Sequence, residues 1–430
     1  MYQPKMALSK EETSILNGEK GETLQKMMEV IVRYGDTFGA TRLAPLTHKE
    51  GHLVTSFGIS MLKPLYPLMD ELIHAGLKAP EGFTADPRPI DYKNVKANPL
   101  EKLVFNHFMY GKQKSYEEQL KKVGLRDDEA FSCTCYLMGN EPKKGDIIAW
   151  AESSAVVYAN SVLGARCNRN SGVIELFETI LGVTPEFGFI TDEGRKADWK
   201  VILKTTKIPE AQILGSAIGM KVMAEVPYVI GLDKYLKQLP DEDTIAYLKD
   251  FGAATASNGA VGLYHIDGIT PEAKEMGEAL LKENAKEYVI DDDELERVYK
   301  SYPIMWKNPN KKAYRCFIGC PHLTLKQLKD WTEKIEASLK ESGKKKLVID
   351  TVFTTSPAVE KEFRKTPYYE RLLKTGAHLS NICPLMYADN PLCGKHRLMT
   401  NSNKLRTYTF SRYYKDADTL AIITGNKEGK

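Results

Sequence analysis

The sequence predicts an α/β fold with mostly parallel sheets. From about Ala130 onward, short apolar runs typical of strands alternate with longer amphipathic runs typical of helices. Strands that are separated by helices pair in parallel, because the crossover needs the length of a helix. The 430 residues suffice for several domains. We expect a helical and loop region over 1–129 that contributes to a pocket, central α/β structure over 130–300, and a C-terminal α/β domain over 301–430.

The N-terminal region is expected to be mostly helical. Ser9 and Glu12 have the spacing of a capping box, which predicts a short first helix. Pro64 and Pro67 are expected to kink or divide the helix predicted around them. Residues 79–98 are rich in Pro and Asp and predict a long loop, a type of segment that often carries function. Further helices are predicted over 24–34, 58–75, 99–109 and 114–123.

The rest of the chain alternates between the two kinds of element. One run, 252–265, is so rich in small residues that it indicates backbone approaching a ligand. Gly215 and Gly219, in contrast, are explained by close helix packing. We predict strands over 131–138, 147–150, 199–205, 228–231, 288–290, 314–318, 347–354 and 378–382. We predict helices over 171–181, 209–221, 241–251, 271–282, 324–342, 357–364 and 367–374.

One stretch, 145–169, combines these elements with polar side chains. Its apolar start predicts a buried strand, and a helix follows that Ser153 or Ser154 would cap and that ends near Gly164. Ligands bind at the carboxyl ends of strands in open α/β sheets, so Glu152 and the two serines are candidates for a site. The stretch leaves the helix through a polar and basic segment that contains Arg166, Asn168 and Arg169.

Composition excludes several classes of function. The formal net charge of +3 on so long a chain argues against a nucleic-acid or anionic-membrane partner. The sequence contains neither an apolar run of about 20 residues nor an apolar signal-peptide core at its N-terminus. We therefore expect a cytoplasmic protein without a membrane segment.

The seven cysteines, an odd and scattered number, do not suggest a secreted disulfide framework. Core packing is the default interpretation for most of them. Cys320 and Cys383 are each followed by proline at a predicted strand end, and Cys133 lies just before the 145–169 stretch. Three such thiolates could hold an iron–sulfur cluster or a metal with one position open. Cys135 or Cys316 could supply a further ligand, and zinc held by four thiolates is an alternative.

Other chemical candidates are weaker. His265 closes the small-residue run and is equally compatible with ligand contact and with a hydrogen-bonded core. His52 lies in a polar loop, which favours a solvated side chain. The sequence has no G-x-S-x-G elbow, P-loop or dinucleotide fingerprint, so these motifs support neither a serine hydrolase nor a nucleotide-binding protein.

Five segments together resemble one known family. They are GDIIAWAESSAVVYANSVLGARCNRNSG at 145–172, SCTCYLMGN at 132–140, GAVGLYHIDGITPEA at 259–273, IGCPHLTLKQL at 318–328 and LMTNSNK at 398–404. In this order they resemble the large catalytic subunit of aconitase X, the divergent branch of the aconitase superfamily. The resemblance extends from about residue 130 to 410 and is weak before it.

The resemblance implies three aconitase-like α/β domains around a central metal site, with a separate small swivelling domain. It also implies a hydro-lyase that holds iron, as an iron–sulfur cluster or a mononuclear iron. The family's iron ligands match Cys133, Cys320 and Cys383. The basic exit at Arg166, Asn168 and Arg169 looks suited to a substrate carboxylate or phosphate.

The same resemblance implies an additional chain. In the superfamily the base is a serine on the swivelling domain, and this sequence ends soon after its LMTNSNK match. We therefore expect a small swivelling-domain subunit as partner and a small hydroxy acid as substrate. The residues that we place near the substrate are Glu152, Ser153, Ser154, His265 and Lys404, with His52, Asn401 and Ser402 as additional substrate-binding residues.

Departures from the family pattern fall near the expected pocket. Cys135 stands where proline is usual and Cys167 where threonine is usual, and Asn381-Ile382 replaces Asp-Thr before Cys383. The Thr-Leu-Asn-Pro loop is absent, with 84–89 in its place.

As the substrate that is dehydrated, we place cis-3-hydroxy-L-proline first among the candidates. The first alternative is mevalonate 5-phosphate, for which Arg88 and Lys404 could add positive charge. The second is a metal-stabilised structural subunit without its own activity.

Overall fold

The structure is a computed structural model that describes residues 2–54, 63–390, 392 and 396–426. It contains helices and strands in alternation, and both of its larger sheets are entirely parallel. The predicted α/β class with mostly parallel sheets is therefore confirmed. No helix in the described part of the chain is long and apolar enough to cross a membrane.

The first part of the chain packs helices around two small sheets. Strands β1 and β4 pair antiparallel, and β2 and β3 pair in parallel. The capping box of Ser9 and Glu12 is confirmed. The part of the third predicted helix at 58–62 lies outside the described residues. The elements are α1 (Lys10–Leu16), α2 (Glu22–Thr37), β1 (Leu43–Pro45), β2 (Gly51–Leu53), α3 (Leu65–His74), β3 (Phe83–Ala85), α4 (Pro99–Leu103), α5 (Gln113–Val123), α6 (Ser153–Tyr158), α7 (Gly172–Leu181) and β4 (Val183–Pro185).

Two predicted strands of this part are not regular strands. The 131–138 run makes one isolated bridge from Phe131 and then forms a 3₁₀ turn at Cys135–Met138. The 147–150 run is extended and mostly buried but makes only isolated bridges, from Ile147 to Arg166 and from Trp150 to His52. Each run pairs with a neighbouring segment at single positions only. Its apolar residues therefore reflect burial and not membership of a regular sheet.

The central part contains a four-stranded parallel sheet in the order β7-β6-β5-β8. Strand β5 lies inside this sheet and alternates buried and partly exposed residues, because successive side chains point to opposite faces. The predicted strands at 199–205 and 228–231 and helix at 209–221 are confirmed within two residues. The elements are β5 (Ala197–Leu203), α8 (Ala211–Val222), β6 (Pro227–Ile230), α9 (Glu242–Asn258), β7 (His265–Ile266), α10 (Pro271–Met276), β8 (Leu281–Ile290) and α11 (Asp292–Lys300).

In the structure, the small residues of the run at 252–265 pack against other parts of the chain. The first half of this run continues α9, which packs closely on α8. A Cβ at Gly215 would lie 2.4 Å from the Phe251 carbonyl oxygen, and one at Gly219 would lie 2.6 Å from that of Thr255. The small residues therefore allow two helix backbones to touch, as the sequence predicts for the two glycines.

The last part contains a five-stranded parallel sheet in the order β11-β10-β9-β12-β13. The helix after Thr324 has the predicted cap, and the two helices after Ser356 also match the prediction. Strand β9 does not stop before the first Cys-Pro pair but continues through its cis peptide bond. The elements are β9 (Arg315–Leu323), α12 (Leu325–Glu341), β10 (Asp350–Thr355), α13 (Pro357–Arg364), α14 (Pro367–Lys374), β11 (His378–Ser380), α15 (Pro384–Ala388), β12 (Leu398–Thr400), α16 (Asn403–Tyr408), β13 (Arg412–Tyr413) and α17 (Asp416–Thr424).

Candidate active site

The ends of several elements meet at one cavity, with about 370 Å³ of space free of protein atoms including its opening. The cap of α6, the first turn of α16, the start of α15, the end of β9 and the segments after β3 and before α6 form its walls. The lining residues are Asp86, Pro87, Cys133, Glu152, Gly319, Cys320, Pro321, His322, Cys383, Pro384, Leu385 and Lys404. The cavity thus brings together segments of the chain that lie up to about three hundred positions apart.

A buried ion pair between Glu152 and Lys404 forms one wall. The Lys404 ammonium donates to the Glu152 carboxylate and also lies 3.2 Å from Ser153 Oγ and 3.3 Å from Ser154 Oγ. The second Glu152 oxygen accepts from Ser154 Oγ and from the Ala155 amide, both at 2.6 Å. Glu152 itself therefore caps α6, so the prediction that Ser153 or Ser154 is the cap is wrong.

The environment keeps both members of this pair charged. Burial alone would raise the pKa of Glu152, but the Lys404 charge and the hydrogen bonds from Lys404, Ser154 and the Ala155 amide lower it below its usual range. Burial alone would lower the pKa of Lys404, and the negative charge of Glu152 raises it. The Lys404 ammonium, paired with Glu152, is therefore a fixed positive charge at the wall of a largely buried cavity, where charges act more strongly than in bulk water.

Three thiols line the same cavity, from Cys133, Cys320 and Cys383. Cys320 is buried, and the other two are partly exposed. Burial raises the pKa of each thiol, and the Lys404 ammonium acts in the opposite direction on all three. The His322 amide also donates to Cys133 Sγ at 3.4 Å. The ammonium and the amide therefore offset burial only in part, and the pKa of each thiol stays above its ordinary value, although the thiolate is the form that binds metal.

The three thiols are a donor set that fits a thiolate-bound metal or an iron–sulfur cluster. Soft thiolate sulfur is the usual ligand of iron–sulfur clusters. Within residues 2–54, 63–390, 392 and 396–426, no three His, Cys, Asp or Glu side chains converge so that they could share one ion.

The remaining described cysteines lie outside the lining. Cys167 donates to the Trp150 carbonyl oxygen at 3.2 Å, and Cys316 lies in the core between β9 and α12. Cys135 is buried in the core that includes Tyr158 and lies in a 3₁₀ turn, not in the strand predicted over 131–138. Cys393 lies outside the described residues.

His322 is a lining residue that the sequence analysis did not single out. Its Nε2 lies 3.1 Å from the Ile382 carbonyl oxygen, which can only accept, so Nε2 carries the proton. Nδ1 then accepts from Ser132 Oγ at 2.9 Å, and burial lowers the pKa of His322 to about 4. The neutral side chain therefore links the segments that contain Cys133 and Cys383. Its position directly after Cys320-Pro321 is the sequence feature that could have identified it as a site residue.

His52 is fully buried, so the prediction of a solvated side chain is wrong. It lies beside the cavity-lining Asp86, with Nε2 3.8 Å from Asp86 Oδ1. The position in β2 next to Trp150 explains the burial, since the two rings pack edge to face at 5.8 Å.

His265 lies away from the cavity. Its Nε2 donates to the Arg195 carbonyl oxygen at 2.8 Å, and Nδ1 lies 3.8 Å from Glu272 Oε2. Arg195 in turn binds the Glu272 carboxylate and the Asn160 carbonyl oxygen. Of the two alternatives left open by the sequence, the structure therefore matches the hydrogen-bonded core.

The basic exit of the 145–169 stretch is not brought to the cavity either. Arg166 binds the Ile190 carbonyl oxygen and the Asp192 carboxylate, and Asn168 bonds twice to backbone at 187–189. Arg169 has a positive φ of 57° and donates its amide to Cys167 Sγ. The Arg166 and Asn168 side chains bind a loop in this arrangement, and the assignment of all three residues to the substrate stays a prediction.

The two residues before α16 differ in placement. Ser402 caps α16 and donates to the Cys320 carbonyl oxygen, so it supports the end of β9 that contains Cys320 without lining the cavity. Asn401 donates to Asp416 in a separate groove between α8 and α12. Arg88 binds Glu117 and stacks on Phe131, which occupies the guanidinium.

Comparison with known protein families assigns most of the chain. The aconitase X first domain matches residues 5–193, the second domain 196–300 and the third domain 315–418. The crystal structure of Thermococcus kodakaraensis aconitase X in its holo-form superposes with a TM-score of 0.80 at 31% identity, over 97% of this chain and 99% of that one.

Two kinds of curated relative are similar to this chain. The phosphomevalonate dehydratase large subunit of Thermococcus kodakarensis is 33% identical over 96% of this chain and 99% of its own length. The cis-3-hydroxy-L-proline dehydratase of Pseudomonas aeruginosa is 26% identical over 92% of this chain but only 65% of its own length. The three domain matches and these similarities show that the chain belongs to the aconitase X family of hydro-lyases.

Proposed function

We propose that this chain is the large subunit of a dehydratase that removes water from mevalonate 5-phosphate. Five relatives named phosphomevalonate dehydratase large subunit are 29–33% identical to it, whereas the two named cis-3-hydroxy-L-proline dehydratase are 28% and 26% identical. This order favours the alternative over the hydroxyproline substrate that the sequence analysis put first.

The observation that carries the proposal is one cavity that combines a charged Glu152–Lys404 pair with three thiols. Loss of water from a hydroxy acid requires help for the departing hydroxyl and a site for an anionic substrate. We assign an iron–sulfur cluster to Cys133, Cys320 and Cys383. When bound, the cluster supplies a Lewis-acidic iron for the hydroxyl.

The chain's own residues bind and orient the substrate. The Lys404 ammonium attracts the substrate carboxylate, and the Ser153 hydroxyl, which makes only a long 3.3 Å contact with Glu152, can turn to donate to the same group. The Ser154 hydroxyl stays on Glu152. Glu152 keeps this ammonium in place and charged. The buried thiols also suit a reducing compartment, which agrees with the expectation of a cytoplasmic protein.

A small subunit is the proposed partner. Five relatives carry the words large subunit in their names, which implies a second chain in those enzymes. Such a subunit would supply the serine base expected from the superfamily and would close the cavity over the substrate.

The test is to co-express the chain with its candidate small subunit and purify the complex without oxygen. Incubation with mevalonate 5-phosphate should yield a product lighter by one water in mass spectrometry, and the complex should contain iron. If the complex converts only cis-3-hydroxy-L-proline, that compound is the substrate and the proposal of mevalonate 5-phosphate is wrong. An iron-containing complex that converts neither compound would favour the structural subunit, and a complex without iron would contradict the cluster.

A further inference from the structure

Arg88 connects two of the three chain segments that carry the cavity thiols. It directly follows the cavity-lining Pro87, and its carbonyl oxygen accepts from the Cys383 amide at 2.9 Å. Its guanidinium carbon lies 4.0 Å from the ring centroid of Phe131, which precedes Cys133 by two positions. Because Arg88 lies in the first domain and Cys383 in the third, this residue joins two domains beside the candidate active site.

Hydrogen bonds hold the guanidinium of Arg88 in addition to the stacking. Nε donates to Glu117 Oε1 at 3.1 Å and Nη2 donates to Glu117 Oε2 at 2.9 Å, which is the paired geometry of an arginine and a carboxylate. Nη2 also donates to the Asp128 carbonyl oxygen at 3.0 Å. The Gln113 side-chain amide donates to Glu117 at 2.8 Å and keeps the carboxylate in place. The side chains of Arg88 and Glu117 are 35% and 15% exposed, so solvent screens this pair less than a fully exposed one.

The backbone of Arg88 has little freedom. The residue lies in the sequence Pro-Arg-Pro at 87–89. Proline fixes its own φ, and the residue before a proline is confined to extended conformations. The contacts of the guanidinium also select one side-chain conformation. The carbonyl oxygen that contacts Cys383 and the guanidinium that contacts Phe131 are therefore held at a fixed separation.

The two segments that Arg88 connects need such a fixed separation. Cys133 lies in the first domain and Cys383 in the third, and a metal group bound by both thiolates requires their sulfur atoms at set positions. His322, which is fully buried, links the same two segments inside the core. Arg88 links them closer to the surface. A movement of the third domain away from the first would have to break its hydrogen bond with the Cys383 amide.

We propose that Arg88 is a positioning residue that fixes Cys133 and Cys383 relative to each other and so determines how tightly the iron–sulfur cluster is retained. This inference rests on the proposed dehydratase function and its three cysteine ligands. It differs from the sequence-based expectation, in which Arg88 adds positive charge for a substrate phosphate. The Glu117 carboxylate already neutralises the guanidinium, which favours the positioning role.

Arg88→Met is the sharpest variant, because methionine keeps an apolar stem that can pack on Phe131 but loses every guanidinium hydrogen bond. Glu117→Gln is the second variant, since it removes the charge that holds the guanidinium and leaves Arg88 in place. Arg126→Met is the matched control, because this arginine is 29% exposed and pairs with two other carboxylates. All three are made in the iron-containing complex with the small subunit and handled without oxygen.

We expect Arg88→Met to lower the affinity for iron by about 10–100-fold, which is the effect typical of residues that orient metal ligands. A chelator titration followed by the visible absorption of the cluster measures this affinity, and the EPR spectrum of the reduced complex should also change. Glu117→Gln should shift both in the same direction by a smaller amount, because an amide can still accept from Arg88. KM for mevalonate 5-phosphate should stay unchanged, and Arg126→Met should match the unmodified complex throughout.

A role of Arg88 in general stability alone would give a different result. It would reduce the amount of folded complex without changing the EPR spectrum of the cluster, and that outcome would overturn the proposal. A chelator titration equal to that of Arg126→Met would also overturn it. A large rise in KM with unchanged iron retention would instead assign the guanidinium to the substrate phosphate.

Glu117→Gln decides the question if Arg88→Met does not fold. Weaker iron retention in Glu117→Gln supports the positioning role, and unchanged retention contradicts it. The proposed function fails separately from this inference, because the chelator titration and EPR need no turnover. An unmodified complex that contains iron but does not dehydrate mevalonate 5-phosphate would contradict the proposed function, and the iron retention of the variants would still test the role of Arg88.

Discussion

Two stretches of this chain look alike in sequence as candidate ligand-facing turns, and the structure uses them differently. Glu152, Ser153 and Ser154 meet Lys404 at the wall of a cavity that also contains three thiols. The small residues of 252–258 instead lie in α9 against α8. The difference shows that small residues at a turn indicate that another group comes close to the backbone. They do not indicate whether that group is a ligand or another part of the chain. A charged partner from a distant segment distinguishes the site from the packing contact.

The largest expected effect comes from Lys404→Ala, which leaves Glu152 buried without its cation. Removing one member of a buried pair costs about 3–5 kcal/mol in the free energy of unfolding. Denaturant titration measures this loss, and turnover should disappear. The double variant Lys404→Met with Glu152→Gln should recover stability without recovering turnover. If the single variant is as stable as the unmodified chain, the pair is not the structural centre of the cavity wall.

The second prediction concerns pH and the carboxyl pair of Glu175 and Glu178 in α7. Burial is the largest cause that raises the pKa of each group, to about 7 for Glu178, and Asn170 donates to both. A raised pKa means that the folded state binds the proton more tightly. The free energy of unfolding should therefore fall as pH rises from about 4.5 to 7. In Glu178→Gln this fall should be smaller, and an unchanged pH slope would exclude the pair as its source.

The third prediction tests the helix contact. Gly215→Ala places a Cβ 2.4 Å from the Phe251 carbonyl oxygen, so α8 and α9 must separate. Overpacking of this kind costs about 1–3 kcal/mol. The loss should appear in thermal unfolding while KM of the remaining folded enzyme stays unchanged. The control is Met220→Ala on the exposed face of α8, which should be nearly neutral. A changed KM in Gly215→Ala would restore a ligand role for the small-residue run.

The smallest effect is expected for Arg166→Ala. Its guanidinium binds Asp192 and the Ile190 carbonyl oxygen near the surface, and exposed ion pairs contribute at most about 1 kcal/mol. Turnover should stay within about threefold of the unmodified enzyme, and Asp192→Ala should behave alike. A large rise in KM in Arg166→Ala alone would show that this arginine reaches the substrate, as the sequence predicts.

Much of the fold could be predicted, because the local sequence pattern is sufficient to identify helices and inner strands. Periodicity and caps predicted α12, α13, α14 and β5 within a few residues. The errors fall where burial is not accompanied by regular pairing, as at 131–138 and 147–150. An apolar run indicates only that a segment is buried. Whether the segment joins a regular sheet depends on hydrogen bonds to strands from distant parts of the chain.

The sequence by itself determined the α/β class, the family and the chemical types of the site, namely three thiols, a carboxylate and a lysine. Only the tertiary structure decided which of them meet. It placed Glu152 beside Lys404, buried His52 next to Asp86, and directed Arg166 and His265 to backbone partners. The physical reason is that local patterns report the burial of each segment, whereas the partner of a buried charge is set by packing between segments far apart in the chain.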